Sequence, residues 1–210
     1  MVDESLIAYF KQQFTDESSE ENIRDLLSYS EKEITFSGSE INILIHAIDT
    51  IKIVDPACGS GAFPMGILHK LVHVLHKVDP KNELWEQRQI EKVDKLIKDA
   101  DSITDTKTRE KVIDDLEETK YGVVEAFENN ELDYGRKLYL IENCIYGIDI
   151  QPIAVQIAKL RFFISLVIDQ NKQAGKENFG IRSLPNLETT FVAANTLLEL
   201  AIPTTDLFSK

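Results

Sequence analysis

An aspartate, several small residues and two glycines stand close together in Asp-Pro-Ala-Cys-Gly-Ser-Gly-Ala-Phe, residues 55 to 63. A carboxylate can bind an ammonium group, and the backbone N–H groups of a tight glycine loop can bind a carboxylate. Gly59 and Gly61 permit positive φ angles and let a ligand approach the backbone. The pattern therefore indicates a site for a small molecule that carries both an ammonium and a carboxylate.

Other nucleotide-binding loops fit this segment poorly. A dinucleotide loop, G-x-G-x-x-G, needs a third glycine at position 64, which is proline, and no P-loop Gly-Lys-Ser/Thr follows. We predict that the loop binds S-adenosylmethionine (SAM), with Asp55 near the methionine ammonium. The alternative is a sharp turn without a ligand. The predicted cofactor-binding residues of this loop are Asp55, Pro56, Ala57, Cys58, Gly59, Ser60, Gly61 and Phe63.

Two more polar residues follow predicted strands. Asp149 ends the run Ile-Tyr-Gly-Ile-Asp, and its two oxygens suit the two hydroxyls of a ribose; Ile150, next to it, is included in the site. Asn195 follows Thr-Phe-Val-Ala-Ala, and its amide could contact an adenine edge. The alternatives are an ordinary acidic turn residue at Asp149 and a cap for the next turn at Asn195.

A parallel sheet would bring these residues together, because ligands of doubly wound α/β folds lie at the carboxyl ends of the strands. We predict parallel strands near 51–54, 144–149 and 189–194, and expect the first to expose an open edge. Helices follow the first two strands. The second of them begins at Pro152, and we expect its packing face to carry Ile153, Ile157, Leu160, Ile164 and Val167, with Arg161, Phe162 and Phe163 at its back.

The remaining segments read as helical. Residues 1–35 predict two short amphipathic helices, and residues 36–210 a SAM-binding subdomain with a helical hairpin inserted at 79–143. One face of the hairpin is expected to carry Leu84, Trp85, Val93, Leu96 and Ile97. Ser39 is predicted to cap the helix before the first strand, and Phe36 to join the core or wall off the ligand. The acidic hairpin is interpreted as a solvated arm; a partner or DNA contact surface is the alternative.

Composition and charge limit what the chain can do alone. Its 210 residues are 43% hydrophobic and 28% charged, which is ordinary for one globular domain. A formal net charge of -13 opposes binding of a phosphate backbone by this chain alone. We see no apolar run that could span a bilayer and no signal peptide in Met-Val-Asp-Glu-Ser, and so predict a cytoplasmic protein without a membrane partner.

The cysteines and histidines predict neither a disulfide nor a metal site. Cys58 and Cys144 each lie beside a predicted strand end, which indicates packing of small residues. His69, His73 and His76 share one helical stripe, but position 70 is lysine where an H-E-x-x-H site needs glutamate. We therefore expect this stripe to be a hydrated helix flank.

Taken together, the motifs resemble the cofactor half of adenine-specific DNA methyltransferases of the type IIG restriction-modification family. The resemblance rests on Asp-Pro-Ala-Cys-Gly-Ser-Gly-Ala-Phe, Tyr-Gly-Ile-Asp-Ile-Gln-Pro and Leu-Pro-Asn-Leu ahead of Val-Ala-Ala-Asn-Thr-Leu-Leu, and covers about residues 36 to 200. It implies a partial class I SAM-dependent methyltransferase (Rossmann-like) sheet. Residues 55–61 match the SAM loop, Asp149 the ribose-binding acid and Asn195 the adenine-edge position, where many relatives carry aspartate.

The resemblance also implies methyl transfer from SAM to the exocyclic amino group of adenine. The family's catalytic tetrapeptide needs adjacent prolines, and the 6 prolines here, at 56, 64, 80, 152, 185 and 203, are never adjacent. We therefore assign no catalytic residue and expect a fragment that binds SAM but is inactive alone, with DNA contacted by segments outside this chain. An endonuclease domain in the same polypeptide is a further implied partner.

Two other functions stay open at this point. One is a SAM-dependent methyltransferase that acts on RNA, protein or a small molecule. The other is a non-catalytic interaction module in which the glycine loop is vestigial and the acidic hairpin is the working part.

Overall fold

A computed structural model describes residues 1–14, 19–30, 32, 35–128, 132–172, 174–181 and 185–198. The end of the predicted SAM-binding subdomain, residues 199–210, lies outside these ranges. The elements are α1 (Val2–Lys11), α2 (Ser19–Leu27), α3 (Gly38–Thr50), β1 (Ile53–Asp55), α4 (Ala62–Val78), α5 (Glu83–Ala100), α6 (Thr106–Glu128), α7 (Leu132–Asn143), β2 (Ile145–Asp149), α8 (Pro152–Val167), a 3-10 turn (Glu177–Gly180) and β3 (Phe191–Ala193). Among the described helices, none is long and apolar enough to cross a membrane.

The three strands form a parallel sheet in the order β1-β2-β3. Ile53 pairs with Ile145 at one end of the first ladder, and Asp149 pairs with Ala193 at the end of the second. The predicted strands are therefore confirmed, although β1 begins only at Ile53. Helix α8 packs against β2 and β3, where the rings of Phe162 and Phe191 lie 4.7 Å apart between centroids.

The outer edge of β1 is open. Within the described ranges β1 pairs with β2 alone, and the Val54 side chain is 56% exposed. A groove of about 290 Å³ runs beside this edge, between β1 and residues of α1 and α4 that include Tyr9 and Phe63. The expected open edge is confirmed.

Helix α8 turns a different face to the core from the one we predicted. Its buried residues include Val155, Ala158, Phe162 and Leu166. The five predicted positions are all exposed, by 41 to 70%: Ile153, Ile157, Leu160, Ile164 and Val167. The prediction was wrong because the helix is apolar on two sides, so periodicity could not choose between them. Contact with the sheet and with the start of α4 selects the face with Ala158 and Phe162.

The start of α3 also differs from the prediction. Ser37, and not Ser39, is the N-cap: its hydroxyl accepts from the Glu40 N–H, and the Glu40 carboxylate accepts from the Ser37 N–H at 2.7 Å. This reciprocal capping box satisfies two backbone donors, which Ser39 could not do. Phe36 is buried and its ring stacks on Phe14 at 6.0 Å, so it belongs to the core and not to a ligand wall.

The basic stripe of α4 holds the end of α2. Lys70 Nζ donates to the Leu27 carbonyl at 2.8 Å, and both the His73 ring and Lys77 Nζ lie 2.8 Å from the Ser28 carbonyl. Cationic and polar groups at a helix C-terminus satisfy its last carbonyls and favour its dipole. His73 therefore helps to cap α2, and no metal-binding group of three or more His, Cys, Asp or Glu residues occurs among the described residues.

The insertion contains three helices, α5, α6 and α7, and not a simple hairpin. Trp85 and Val93 of its first helix are buried as predicted, whereas Leu84 and Leu96 are 39 and 52% exposed. The buried side of helix α5 is partly polar, because Gln89 is buried there as well. The predicted apolar face was therefore only partly correct.

Asp49, at the end of α3, anchors the insertion to the core. Its fully buried carboxylate accepts from Arg88 Nε at 2.9 Å, from Gln89 Nε2 at 3.1 Å and from Lys92 Nζ. Tyr139 of α7 donates to the Asp49 backbone carbonyl at 3.1 Å. Burial raises the pKa of Asp49, but the hydrogen bonds from Lys92, Gln89 and Arg88 outweigh it and hold the pKa below its ordinary value.

We predict that Asp49→Ala lowers the free energy of unfolding by about 2 kcal/mol at pH 7, measured by urea titration. This is below the ~3–5 kcal/mol lost when a fully buried pair is broken, because Arg88 and Lys92 are partly exposed and can rehydrate. A carboxylate with a lowered folded-state pKa stabilises above its unfolded pKa of about 3.9 and loses that effect as the pH falls further. The difference between wild type and variant should therefore shrink below about pH 4.

Asp94→Ala is the matched control. Asp94 pairs with Lys120 on the surface of the insertion, with both side chains about two-fifths exposed. Its loss should change the free energy of unfolding by roughly 0.5 kcal/mol or less. Equal effects of the two substitutions, or a difference independent of pH, would contradict the anchoring role of Asp49.

Candidate cofactor-binding site

The site is built where the three parallel strands end. Asp55 is the last residue of β1 and Asp149 the last of β2, and the Ala194 N–H, just after β3, donates to the Asp149 carbonyl at 2.9 Å. Because parallel strands present their carboxyl ends at one edge of a sheet, the segments that follow meet there. The sheet thus brings the three separate sequence motifs together.

The loop after β1 is tied to the end of β2. The Cys58 N–H donates to the Ile148 carbonyl at 2.9 Å, and the Gly59 N–H donates to Asp149 Oδ2 at 2.8 Å. Within the loop, the Gly61 N–H donates to the Cys58 carbonyl at 2.8 Å. These bonds fix the loop directly beside the Asp149 carboxylate.

The two glycines of the loop have different roles. Gly59 has a φ of +52° and nothing within 4 Å of the place where a Cβ would be, so this side of the loop is open. Gly61 has a φ of +80°, and a Cβ there would lie 3.0 Å from the Ala158 Cβ of α8. Gly61 therefore lets the loop pack on α8, and Gly59 leaves space for a ligand.

Both carboxylates keep acceptor capacity. Asp149 accepts one backbone N–H on each oxygen, from Gly59 and from Gln151 at 2.8 Å. Asp55 Oδ1 accepts from the Ala57 N–H at 3.1 Å. A carboxylate has about four lone-pair positions, so each side chain can accept further hydrogen bonds. Both are only partly buried, which leaves them accessible to a ligand.

Cys58 is a packing residue inside this loop. Burial raises the pKa of its thiol, and the Asp55 and Asp149 carboxylates raise it further. The thiol therefore stays protonated at neutral pH and is not an activated nucleophile. Gly147 on β2 makes the space for it, since a Cβ there would lie 2.9 Å from Cys58 Sγ and 2.6 Å from the Phe191 ring.

At the third strand end, Asn195 makes the turn cap that was the alternative to an adenine contact. Asn195 Oδ1 accepts from the Leu197 N–H at 3.0 Å, so the side chain does cap its own turn. The next residue joins this turn to the first loop, because the Thr196 hydroxyl donates to the Pro56 carbonyl at 3.2 Å. Asn195 is thus near the predicted loop, with one lone pair of its carboxamide oxygen engaged and its N–H groups remaining as donors.

The other predicted residues lie in different surroundings. Pro56, Ala57, Ser60 and Ile150 are exposed around the loop and the end of β2. Phe63, in the first turn of α4, is half-buried and lines the groove beside β1.

Sequence reasoning missed three residues that shape the site: Gly147, Arg161 and Thr196. Arg161 of α8 donates to the Ser60 carbonyl at 3.1 Å and so holds the glycine loop against α8. The glycine two residues before Asp149 was a usable signal, because a strand interior rarely has glycine unless another group approaches closely. The contacts of Arg161 and Thr196 span 101 and 140 residues and have no local signal.

Two comparisons with known proteins found similarities to this chain. Residues 143–205 match the family described as Eco57I restriction-modification methylase. A protein of Methanocaldococcus jannaschii, provisionally named as a type II restriction enzyme and methyltransferase, is 26% identical over 159 residues. That alignment covers 75% of this chain and 9% of the relative, so the chain spans less than a tenth of its length. No solved structure matches the chain significantly. Over these segments the chain is therefore similar to restriction-modification methyltransferases.

We predict that Gly147→Ala destabilises the protein by about 1–3 kcal/mol, because the added methyl group overpacks the contact between Cys58 and Phe191. Thermal and urea unfolding would measure the effect. Gly38→Ala is the control and should not destabilise the protein. A Cβ at Gly38, in the first turn of α3, would meet nothing within 4 Å, and alanine favours the helix. A stable Gly147→Ala protein would show that the close packing beneath the loop is not required.

Proposed function

We propose that this chain supplies the SAM-binding part of an adenine-specific DNA methyltransferase of a type IIG restriction-modification system. The observation that carries the proposal is the hydrogen bond from the Gly59 N–H to Asp149 Oδ2, which places a glycine loop and a strand-end carboxylate side by side. The restriction-modification similarities point to the same class of enzyme.

The residues present fit the chemical groups of SAM. Asp55 would accept from the methionine ammonium. The Ser60 N–H, together with the N–H groups in the first turn of α4, which has no side-chain cap, would hold the methionine carboxylate. Asp149 would accept the ribose hydroxyls through its remaining lone pairs. The open space beside Gly59 gives the ligand room against the backbone.

The adenine end of SAM would lie between Ile150 and Asn195. The Ile150 side chain is 66% exposed and offers an apolar surface to a flat ring. The Asn195 oxygen accepts one hydrogen bond from Leu197 and keeps a second lone pair, so it would accept from the adenine amino group while the carboxamide N–H donates to a ring nitrogen.

Methyl transfer needs groups that no motif of this sequence supplies. When bound, SAM supplies an electrophilic methyl group. The exocyclic nitrogen of adenine must then be held by hydrogen-bond acceptors, with the flipped base stacked on an aromatic ring. The adjacent prolines of the family's catalytic motif are absent from the 210 residues. We therefore propose that catalytic and DNA-binding groups, and any endonuclease, lie in other polypeptide segments, and that this chain alone is inactive. We also propose a cytoplasmic location.

We predict that isothermal titration calorimetry detects saturable SAM binding to this chain, and that Asp55→Ala and Asp149→Ala each weaken it by roughly tenfold or more. The reason is the loss of a charge-assisted hydrogen bond, typically ~1.5–3 kcal/mol. Asp149→Ala also removes the acceptor of the Gly59 N–H. We therefore expect it to weaken SAM binding more than Asp55→Ala does.

Asp94→Ala, at a comparably exposed carboxylate on the insertion, is the control and should bind SAM as the wild type does. Circular dichroism would confirm that each variant is folded. Failure of the folded wild type to bind SAM would contradict the proposal and favour an interaction module. Binding that neither loop variant weakens would place the cofactor at another site.

A further inference from the structure

The exposed side of α8 carries a continuous apolar stripe. Its members are the five residues that we had expected in the core, exposed by 41 to 70%: Ile153, Ile157, Leu160, Ile164 and Val167. The opposite side, with Val155 and Phe162, is buried against the sheet. Because α8 is apolar on two sides and its own core covers one of them, the exposed side has the composition of an interaction surface. We refer to these five residues as the α8 seam.

The spacing of the α8 seam is that of a coiled-coil contact. Its members follow one another at intervals of four, three, four and three residues, which places Ile157 and Ile164 at a positions and the other three at d positions of two heptads. Val155 and Phe162 fall at the f positions, directly opposite the seam, and both are buried. The preferred occupant of such a seam is another α-helix with the same pattern of large aliphatic side chains.

We propose that the α8 seam is the contact between two copies of this chain, with α8 packed against α8. A chain with a net charge of -13 repels its own copies over most of its surface, but residues 150–168 contain no Asp or Glu. The positions that flank the seam carry Ala154, Gln156 and Arg161, among others, and none of these is acidic. The seam therefore has the residue spacing of a helix pair and lacks the acidic side chains that oppose association elsewhere.

The size of the seam sets the expected strength. Five half-exposed aliphatic side chains make a patch on the order of several hundred Å², which usually marks an interaction surface on a monomer. A standard stable interface buries about 800 Å² per partner, so the seam alone should give a weak, micromolar dimer. Because α8 is already ordered by its packing on β2 and β3, association needs little further ordering.

The first test is sedimentation velocity of the whole chain over a range from low-micromolar to near-millimolar concentration. We expect a reversible monomer–dimer equilibrium. Ile157→Glu and Ile164→Glu should each weaken the dimer by roughly tenfold or more, because each would bury two carboxylates in the seam. These side chains are exposed in one copy, so the substitutions should not unfold it. Leu96→Glu, at a residue of similar exposure on α5, should leave the dimer unchanged.

A covalent test fixes the location. Both natural cysteines are buried, so a Leu160→Cys variant has one accessible thiol, near the middle of the seam. Mild oxidation should give a disulfide-linked dimer from this variant, and none from Leu96→Cys. A chain that stays monomeric at the highest concentration would overturn the proposal and leave the seam to a helix from another polypeptide segment. A dimer insensitive to both glutamate substitutions would overturn it as well.

Discussion

The hydrogen bond from the Gly59 N–H to the Asp149 carboxylate is the constraint on which the site depends. It joins residues 90 positions apart and fixes a flexible glycine loop to the end of the neighbouring strand. The bond is possible only because β1 and β2 pair in a register that sets Asp55 opposite Gly147. Gly147 in turn lets Cys58 pack beneath the loop, and Gly61 lets the loop approach α8. The sheet register, the small residues and the carboxylate thus form one interdependent arrangement.

The insertion between the first two strands leaves this arrangement intact because it is anchored separately. Among the described residues, three helices intervene between α4 and β2. Helix α5 is held to α3 through the buried carboxylate of Asp49, and α7 through the Asp49 backbone carbonyl. Asp49 lies just before the chain enters β1, so the anchor also fixes the approach to the first strand. Arg88 and Lys92 neutralise the carboxylate, and the acidic outer surface of the insertion can stay in solvent.

Much of the core and the site follows from local sequence signals, and the errors have definite causes. Turn chemistry and β-branched runs indicated the three strands and the residues at their ends, because each strand end has a local signature. The predicted packing face of α8 was wrong because two faces of this helix are apolar, and contact with Phe191 decides which of them is buried. The cap of α3 was assigned two residues late because Glu40 selects Ser37. The polar anchor at Asp49 depends on contacts about 40 residues away, for which a single sequence has no pattern.

The central claim is that the three strand ends form one SAM site, and an NMR titration of the labelled chain with SAM tests it most directly. The account predicts that backbone amide signals of Gly59, Gly61, Ile150 and Asn195 shift together and saturate at the same SAM concentration. Signals of the insertion, such as that of Leu96, should not move. Shifts confined to one strand end, or to residues away from all three, would contradict the account.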